Sequence, residues 1–450
     1  MKEFSLSWKI VVICVLSSGI AVLVSQAPSL ITRVNADNVG SSVTVSNAAP
    51  AITVSPAEST ESTTTSPTNA GSDVTFTATA DDPNNDAYYL ILCSTDAVTA
   101  GGGTGDAPAC NGGTEWCVST STTDGTQATC AYTTQNGDSE TNNWYGFVCD
   151  ATSCAASDQG SGNSGSPFYV NHRPSFSAVG DDDPANPGDN VTVSATASDS
   201  DTTGSSDTVK LIVCDTSGFS GGACTSSELC SSSLTASDPQ CSFAISTPTA
   251  DNTYSYYPFI IDSHSFASSD AAQGSAVNYT VSNVAPSLSS TTINGASDIT
   301  LTEGTTTSVV VSATVTDNNG CSDLSTVVAE IYRSGIGQAS CSVTDEDNCY
   351  TGISCSINTG ANDCTGASDS SAQYDCTFSV EYYADSTTAG TEYPTEDWSA
   401  YVTATDDDAA ADNASPATAV EMNTLVALDI SGSPSYGTFG AGDGDSTLDV

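Results

Sequence analysis

The sequence predicts an all-β fold that consists of three β-sandwich modules in tandem. The main observation is a repeat: residues 72–84, 189–201 and 307–319 each alternate apolar and hydroxyl side chains and then enter an acidic loop. Such alternation is typical of a strand with one buried face. The copies lie about 115 residues apart, and sandwich domains commonly contain about 100 residues. No sustained helical period occurs after the N-terminal segment, so helical folds are excluded.

The first 36 residues are predicted to be a secretory signal peptide. Lys2 and Lys9 precede an apolar run of 15 residues, 10–24. A membrane-spanning helix needs about 20 apolar residues, whereas the core of a signal peptide is shorter. Cleavage is predicted after Ala36, and a retained membrane anchor is the alternative. The mature chain is therefore predicted to be secreted or displayed on the cell surface.

Polar linkers that end in proline divide the mature chain. Asn47, Asn171 and Asn283 each lie three residues before a proline. Proline fixes φ at such a junction and needs no ladder hydrogen bond. The predicted domains are module one at residues 37–172, module two at 173–284, module three at 285–421 and the start of an incomplete fourth module at 422–450.

Strands are predicted within these modules by alternation and by β-branched and aromatic residues. They cover residues 74–80, 88–93 and 144–149 in module one, 191–197, 209–214, 256–261 and 277–281 in module two, and 309–315, 327–332 and 398–404 in module three. The run at residues 424–430 alternates again. It is interpreted as the opening of the fourth module, in which case the sequence is a fragment of a longer protein. Alternatively, this run completes module three.

The charge of the chain restricts its partners. Glu3 is the only one of the 54 acidic residues that precedes residue 37, so 53 acidic residues remain beside Arg173, Lys210 and Arg333. Such a surface repels phosphate backbones and anionic lipids. Nucleic-acid binding and membrane contact by the mature modules are therefore excluded. The acidic surface either binds cations or only confers solubility.

The cysteines are predicted to form disulfide bonds within each module. Small modules with thin cores need covalent support, and the even number in every module permits complete pairing. Cys14 lies in the leader. The others are Cys93, Cys110, Cys117, Cys130, Cys149 and Cys154 in module one, Cys214, Cys224, Cys230 and Cys241 in module two, and Cys321, Cys341, Cys349, Cys355, Cys364 and Cys376 in module three.

The repeat suggests which cysteines pair. Module two has Ile261 and Phe266 at the positions of Cys149 and Cys154, so both cysteines are lost together and are predicted to be partners. The remaining four in modules one and two allow three pairings each. Pairing of sequence neighbours is preferred, and the connectivity of module three is left open. The preferred bonds are Cys93–Cys110, Cys117–Cys130, Cys214–Cys224 and Cys230–Cys241.

Structural zinc and nucleotides are not expected. Zinc sites usually contain Cys-x-x-Cys pairs or several histidines. The chain has no Cys-x-x-Cys, and its only histidines are His172 and His264. It also lacks a phosphate-binding Gly-rich loop with lysine.

The acidic loops are the candidate metal sites. In a sandwich of this size, the loop after the second strand and the loop before the last strand lie at the same end, where the chain enters. Carboxylate and amide oxygens from such loops suit Ca²⁺, which takes six to eight oxygen ligands. The alternative is that these residues only form Asx-turns and loop ends. The candidate ligands are Asp82, Asn84, Asp150, Asn171, Asp199, Asp201, Asp262, Asn283, Asp317, Asn319, Asp406 and Asp408, the last two within the run 406–408.

The linker Asn283-Val-Ala-Pro286 and the loop Ala197-Ser-Asp-Ser-Asp201 resemble the cadherin-like and PKD-like immunoglobulin-fold repeats of bacterial surface proteins. The cysteine-bearing segments 88–93 and 144–149 are similar to surface proteins of candidate-phyla bacteria. The resemblance implies disulfide-stapled immunoglobulin-like sandwiches that act as stalks or adhesive modules, some with calcium between domains. Arg173 and His172 depart from the acidic linkers of such repeats, which places calcium at the first junction in question.

Catalysis is not predicted. The chain lacks Gly-x-Ser-x-Gly, and its two histidines and three mature basic residues leave few parts for hydrolase chemistry. A carbohydrate-active enzyme needs only two carboxylates and stays the less favoured alternative. Trp116, Trp144 and Trp398 are interpreted as packing residues in preference to sugar-binding platforms. The predicted function is a non-catalytic surface stalk or adhesin that binds a protein or glycan. The alternative is a subunit of a filament or surface layer that self-associates through edge strands.

Overall fold

The computed structural model describes residues 46–426, except for residues 104, 203–206, 342, 361–363 and 367. The predicted signal peptide at residues 1–36 and the predicted fourth module from residue 427 onward lie outside the described residues. The described part contains 28 strands and four one-turn 3₁₀ helices. The predicted all-β class of tandem, disulfide-stapled immunoglobulin-like sandwiches is confirmed. Between residues 46 and 426, no helix has the length and apolar character of a membrane span.

Module one follows the first linker. Its strands are β1 (Ala51–Glu58), β2 (Thr68–Asn69), β3 (Asp73–Asp81), β4 (Tyr89–Cys93), β5 (Val98–Thr99), β6 (Ala109–Cys110), β7 (Glu115–Val118), β8 (Gln127–Thr133), β9 (Thr141–Asn142), β10 (Tyr145–Cys149) and β11 (Phe168–Asn171). One antiparallel sheet has the order β1-β3-β8 and the facing sheet β10-β4-β7. Alternate residues of β3 are buried, from Val74 to Ala80, because successive side chains of a strand point to opposite faces.

Module two repeats this plan. Its strands are β12 (Ser175–Asp181), β13 (Asn190–Ser198), β14 (Val209–Cys214), β15 (Phe219–Ser220), β16 (Ala223–Cys224), β17 (Glu228–Ser231), β18 (Gln240–Ala244), β19 (Thr253–Asp262) and β20 (Val277–Thr280). The sheet β12-β13-β18 faces the sheet β17-β14-β19-β20. Strand β14 is buried at nearly every position, since both of its faces are covered.

Module three is the longest of the described modules. Its strands are β21 (Ser287–Ile293), β22 (Thr307–Thr316), β23 (Leu324–Arg333), β24 (Cys349–Ser354), β25 (Ser356–Ile357), β26 (Ser371–Val380), β27 (Trp398–Asp406) and β28 (Ala411–Ala414). The sheet β21-β22-β26-β25 faces the sheet β24-β23-β27-β28. The 3₁₀ helices are Gly162–Ser164 in module one and Asn294–Ala296, Cys321–Asp323 and Gln338–Ser340 in module three.

Each sandwich has its own core between the two sheets. In module one, Phe168 makes edge-to-face contacts with Phe76 and Trp116, with ring centroids 6.1 and 5.0 Å apart. Trp144 and Trp398 are fully buried. The tryptophans therefore pack in or against the cores, and Trp144 and Trp398 present no stacking surface to a sugar.

All sixteen cysteines of the described residues are paired, and every bond lies within one module. The five bonds proposed from the sequence are present: Cys93–Cys110, Cys117–Cys130, Cys149–Cys154, Cys214–Cys224 and Cys230–Cys241. Module three contains Cys321–Cys364, Cys341–Cys349 and Cys355–Cys376. Its cysteines therefore do not simply pair with their sequence neighbours. Cys117–Cys130 and Cys230–Cys241 join the two facing sheets.

The third module extends beyond the boundary predicted at residue 421. Met422 is 0% exposed in its core, and Leu425 packs against that core. Met422 also forms a bridge with Ile299. The first residues assigned to a fourth module therefore complete module three, because an apolar side chain at this position fills the space between the sheets.

Candidate functional site at the module junctions

The same polar contacts hold the chain where it enters each module. In every case the side-chain amide of a linker asparagine donates to an aspartate carboxylate at the end of β10, β19 or β27. The pairs are Asn47 to Asp150 at 2.7 Å, Asn171 to Asp262 at 2.8 Å and Asn283 to Asp406 at 2.9 Å. This repetition follows from the repeat in the sequence, since each asparagine and each aspartate occupies the same place in its module.

The backbone N–H of the residue after each linker asparagine also forms a hydrogen bond. It donates to a side-chain oxygen in the acidic loop after β3, β13 or β22: Ala48 to Asn84 at 2.9 Å, His172 to Asp201 at 2.6 Å and Val284 to Asn319 at 2.8 Å. The accepting residue is itself fixed by an Asx-turn. Its N–H donates to the aspartate two positions earlier, which is Asp82, Asp199 or Asp317. We call these contacts the linker clamp.

Three carboxylates meet at the first junction, between modules one and two. Asp199, Asp207 and Asp262 each place one ligand oxygen within 4.8 Å of the others. Burial is the main reason that the pKa of Asp199 is raised to about 6, and the nearby charges of Asp201 and Asp262 raise it further. Burial also raises the pKa of Asp207 and of Asp262.

Other side chains at the first junction provide one additional oxygen, from Asn171, and two histidines that would compete with a metal ion for the carboxylates. Asn171 is only 1% exposed, and its Oδ1 has no hydrogen-bond partner among the described residues. It lines a small cleft together with Asp207 and His264. His264 Nε2 lies 3.3 Å from Asp207 Oδ1, and His172 Nδ1 lies 2.9 Å from Asp201 Oδ1. Both histidines of the chain therefore contact carboxylates of this one junction.

The second junction, between modules two and three, holds two overlapping groups of carboxylates. Asp317, Asp323 and Asp406 form one group, and Asp251, Asp323 and Asp407 form the other. Asp317 is 0% exposed and Asp323 is 6% exposed. The Oδ2 atom of each lacks a hydrogen-bond partner in the described part of the chain. Burial raises the pKa of Asp323 to about 7, and the adjacent carboxyl of Asp407 and the charge of Asp317 contribute.

The sequence predicted part of these clusters. Asp199 and Asp262 meet at the first junction, and Asp317 and Asp406 meet at the second. The amide residues Asn84, Asn171, Asn283 and Asn319 belong to the linker clamps, as do Asp82, Asp150 and Asp201. Asp408 is exposed and belongs to neither carboxylate group. Among the described residues at the entrance of module one, Asp82 and Asp150 are part of no group of three acids.

Sequence reasoning missed Asp207, Asp251 and Asp323. Asp207 and Asp323 lie just before β14 and β23, and Asp86 lies just before β4. An aspartate just before the next strand is thus a third acidic position of the repeat, and it could have predicted Asp207 and Asp323 as ligands. Asp251 carries no repeat signal, because it approaches the second junction from the loop before β19 in the preceding module.

The carboxylate groups fit a calcium ion. Calcium lies 2.3–2.6 Å from oxygen ligands, so oxygens within about 5 Å of one another can share one ion. In the groups at both junctions the ligand oxygens all lie within 4.8 Å of one another, so each group satisfies this condition. Buried, closely spaced carboxylates without a cation repel one another, and a bound divalent cation would relieve this repulsion. The oxygens therefore match the preferences of a hard cation better than those of zinc.

The fold and its junctions define a class of protein: a tandem array of immunoglobulin-like sandwiches with clamped linkers. No family model matches the chain, and no curated protein matches it significantly. Among solved structures, the chain is similar to a marsupial T cell receptor, at 10% identity over 78% of this chain and 97% of the receptor chain with a TM-score of 0.31. Another is the FN1–FN3 region of chicken CNTN1, at 6% identity over 84% of this chain and 99% of that chain with a TM-score of 0.21.

Proposed function

We propose that this chain is a non-catalytic spacer of an extracellular surface, a stalk or adhesin of the kind formed by bacterial tandem immunoglobulin-like repeats. The observation that carries this proposal is the linker clamp, which occurs at all three module entrances. A chain selected only to join independent domains would not need the same hydrogen bonds at each entrance. A chain that must keep its modules at a fixed angle would need them.

Each linker clamp stabilises the conformation of its own linker. A hydrogen bond to a charged group contributes about 1.5–3 kcal/mol, and each clamp includes a bond from a linker asparagine to a buried aspartate. Linker torsions are therefore restricted on both sides of the asparagine. Contacts between modules add to this: Thr249 N–H donates to the Asn318 carbonyl at 3.1 Å, and Asn319 Nδ2 donates to the Ser282 carbonyl at 3.0 Å.

The disulfide bonds support an extracellular location. Disulfides persist in oxidising compartments, and eight are present in the described modules. The acidic surface supports a role as a soluble, mutually repelling spacer, because like charges keep neighbouring chains apart. The same repulsion argues against the filament or surface-layer alternative unless cations screen it.

We propose further that calcium rigidifies the junctions. The carboxylate groups lie where consecutive modules meet, so a cation held there would restrain the angle between them. This accounts for buried aspartates whose second oxygen lacks a protein partner. At the first junction the two histidines already contact the aspartates, whereas no histidine lies at the second.

Distance measurements between labelled modules test the proposal. The mature chain should give one narrow distance distribution between modules one and three in calcium. Replacing Asn171→Ala together with Asn283→Ala should broaden it, because both clamps are lost. The control is Asn278→Ala, which removes only a bond from Ser255 within module two. A distribution that is already broad in the wild-type chain would contradict a rigid spacer.

Sedimentation separates this proposal from the alternative. A stalk should remain monomeric at micromolar concentration with and without calcium. Reversible polymers that grow with concentration would instead favour the filament or surface-layer function.

A further inference from the structure

We propose that the second junction binds two calcium ions that share Asp323, and that one of these ions ties module two to module three. This inference rests on the proposed calcium-binding function of the junctions and extends it to a specific ligand set. The first junction would hold one ion. The two junctions of the described chain would therefore respond differently to calcium.

The first of these ions would lie inside the entrance of module three. Asp317, Asp323 and Asp406 are all buried, and one oxygen of each lies within 4.8 Å of the others. Asp406 is oriented by Asn283, which donates to its Oδ2 at 2.9 Å. The Oδ1 of Asn283 is buried and has no partner among the described residues, so it supplies a further neutral oxygen beside the carboxylates.

The second ion would bridge the two modules. Asp251 belongs to module two, whereas Asp323 and Asp407 belong to module three, and their ligand oxygens again lie within 4.8 Å of one another. Asp323 is the residue common to both groups. Its buried Oδ2 has no hydrogen-bond partner in the described residues, and a carboxylate has two oxygens with which it can bridge two neighbouring ions.

Among the described residues, no ion pair compensates the carboxylates of the second junction. Asp251, Asp317, Asp323, Asp406 and Asp407 carry a formal charge of five negative units when ionised. The three basic residues of the described chain lie elsewhere. Arg173 lies over Phe266 near the first junction, Lys210 pairs in register with Ile261 next to Asp262 of the first junction, and Arg333 pairs with Asp385 and Glu396 at the opposite end of β23. Of these five charges, two divalent ions would leave one negative unit and one ion would leave three, and the exposed carboxyl of Asp408 beside Asp251 adds a sixth negative charge.

The first junction differs from the second in its number of carboxylate groups and in its contacts with histidine. It contains one carboxylate group, and Asp207, which takes the place of Asp323 in the repeat, already contacts His264. Glu140 of module one reaches the loop of module two, but it accepts the N–H of Thr202 at 2.8 Å. The structure therefore offers no second shared carboxylate at this junction within the described residues.

Calcium stoichiometry tests the inference. The mature chain is stripped with chelator and then titrated with CaCl₂ in excess MgCl₂, and bound calcium is counted by equilibrium dialysis and native mass spectrometry. Three ions per chain are expected. Asp251→Asn should lower the count to two, and Asp323→Asn should lower it to one. Glu303→Gln, an exposed carboxylate before the start of β22, the strand whose other end leads into Asp317, is the control and should retain three.

A second measurement follows the angle between modules two and three. Calcium should narrow the distance distribution between these modules in the wild-type chain. In Asp251→Asn it should narrow the distribution less, although the circular dichroism and the chelated melting temperature stay unchanged. Two bound ions in the wild-type chain, unaffected by Asp251→Asn, would overturn the shared site and leave calcium at both junctions intact. No calcium bound to the wild-type chain would overturn the calcium function itself.

Discussion

The bond Cys230–Cys241 should contribute several kcal/mol to the stability of module two. It links β17 in one sheet to β18 in the other, and both cysteines are buried in the core between the sheets. The cysteines are 11 residues apart in sequence, which corresponds to about 2.8 kcal/mol of chain entropy in the unfolded state. Replacing both by alanine also removes two buried sulfur atoms, which costs about a further 1–2 kcal/mol.

The pair Cys214–Cys224 provides the matched control. Its sequence separation of 10 predicts a nearly equal entropic loss of about 2.7 kcal/mol. It lies outside the core between the sheets, however, in a smaller cluster with Phe219 and Phe259. If unfolded-state entropy were the only contribution, the two double-alanine variants would lose the same stability.

Native-state hydrogen exchange in increasing urea measures both losses. The chain is used with all three modules present, and the amides of β13 and β19 report the unfolding of module two. The variant that lacks Cys230–Cys241 should lose about 4 kcal/mol, and the control should lose less. A loss below about 1 kcal/mol in both variants would refute the reasoning that disulfide bonds compensate for small cores.

Two further predictions concern module one. Burial raises the pKa of Glu58 to about 7, above its ordinary value, so its contribution to stability is complete at acidic pH and is lost as the pH rises through 7. Module one should therefore melt at a lower temperature at pH 8 than at pH 5, and Glu58→Gln should remove this difference; an unchanged pH profile in the variant would contradict this explanation. Phe168→Ala should destabilise module one by about 3–5 kcal/mol, because Phe168 is fully buried against Phe76 and Trp116. Urea denaturation followed by tryptophan fluorescence would measure this loss.

The central strands were predictable from the sequence because they are regular. The alternation at residues 74–80, 191–197 and 309–315 corresponds to β3, β13 and β22. Each of these strands pairs on both sides and covers a core, so its sequence has little freedom. The first strands, β1, β12 and β21, gave no comparable signal. Each contains a register shift against its neighbour, and a bulge interrupts the alternation of side chains.

The junction residues were predictable only where they follow a regular strand. Asp199 and Asp317 follow the recognisable central strands, so their convergence with the loop at the end of β19 or β27 was expected. Asp207 and Asp323 lie at irregular starts of strands, and Asp251 belongs to a different module from its neighbours in space. Contacts between modules depend on the angle between two sandwiches, which a repeat within one sandwich does not encode.

The confinement of every disulfide bond to one module has a consequence for biosynthesis. The widest bond spans 43 residues, from Cys321 to Cys364, so during the proposed export an oxidising enzyme would need only the segment that has just emerged. Each module can close its bonds before the next one is translocated, and cysteines of different modules need never be present unpaired together. Duplication or deletion of whole modules during evolution would therefore change the reach of the protein without creating mismatched thiols.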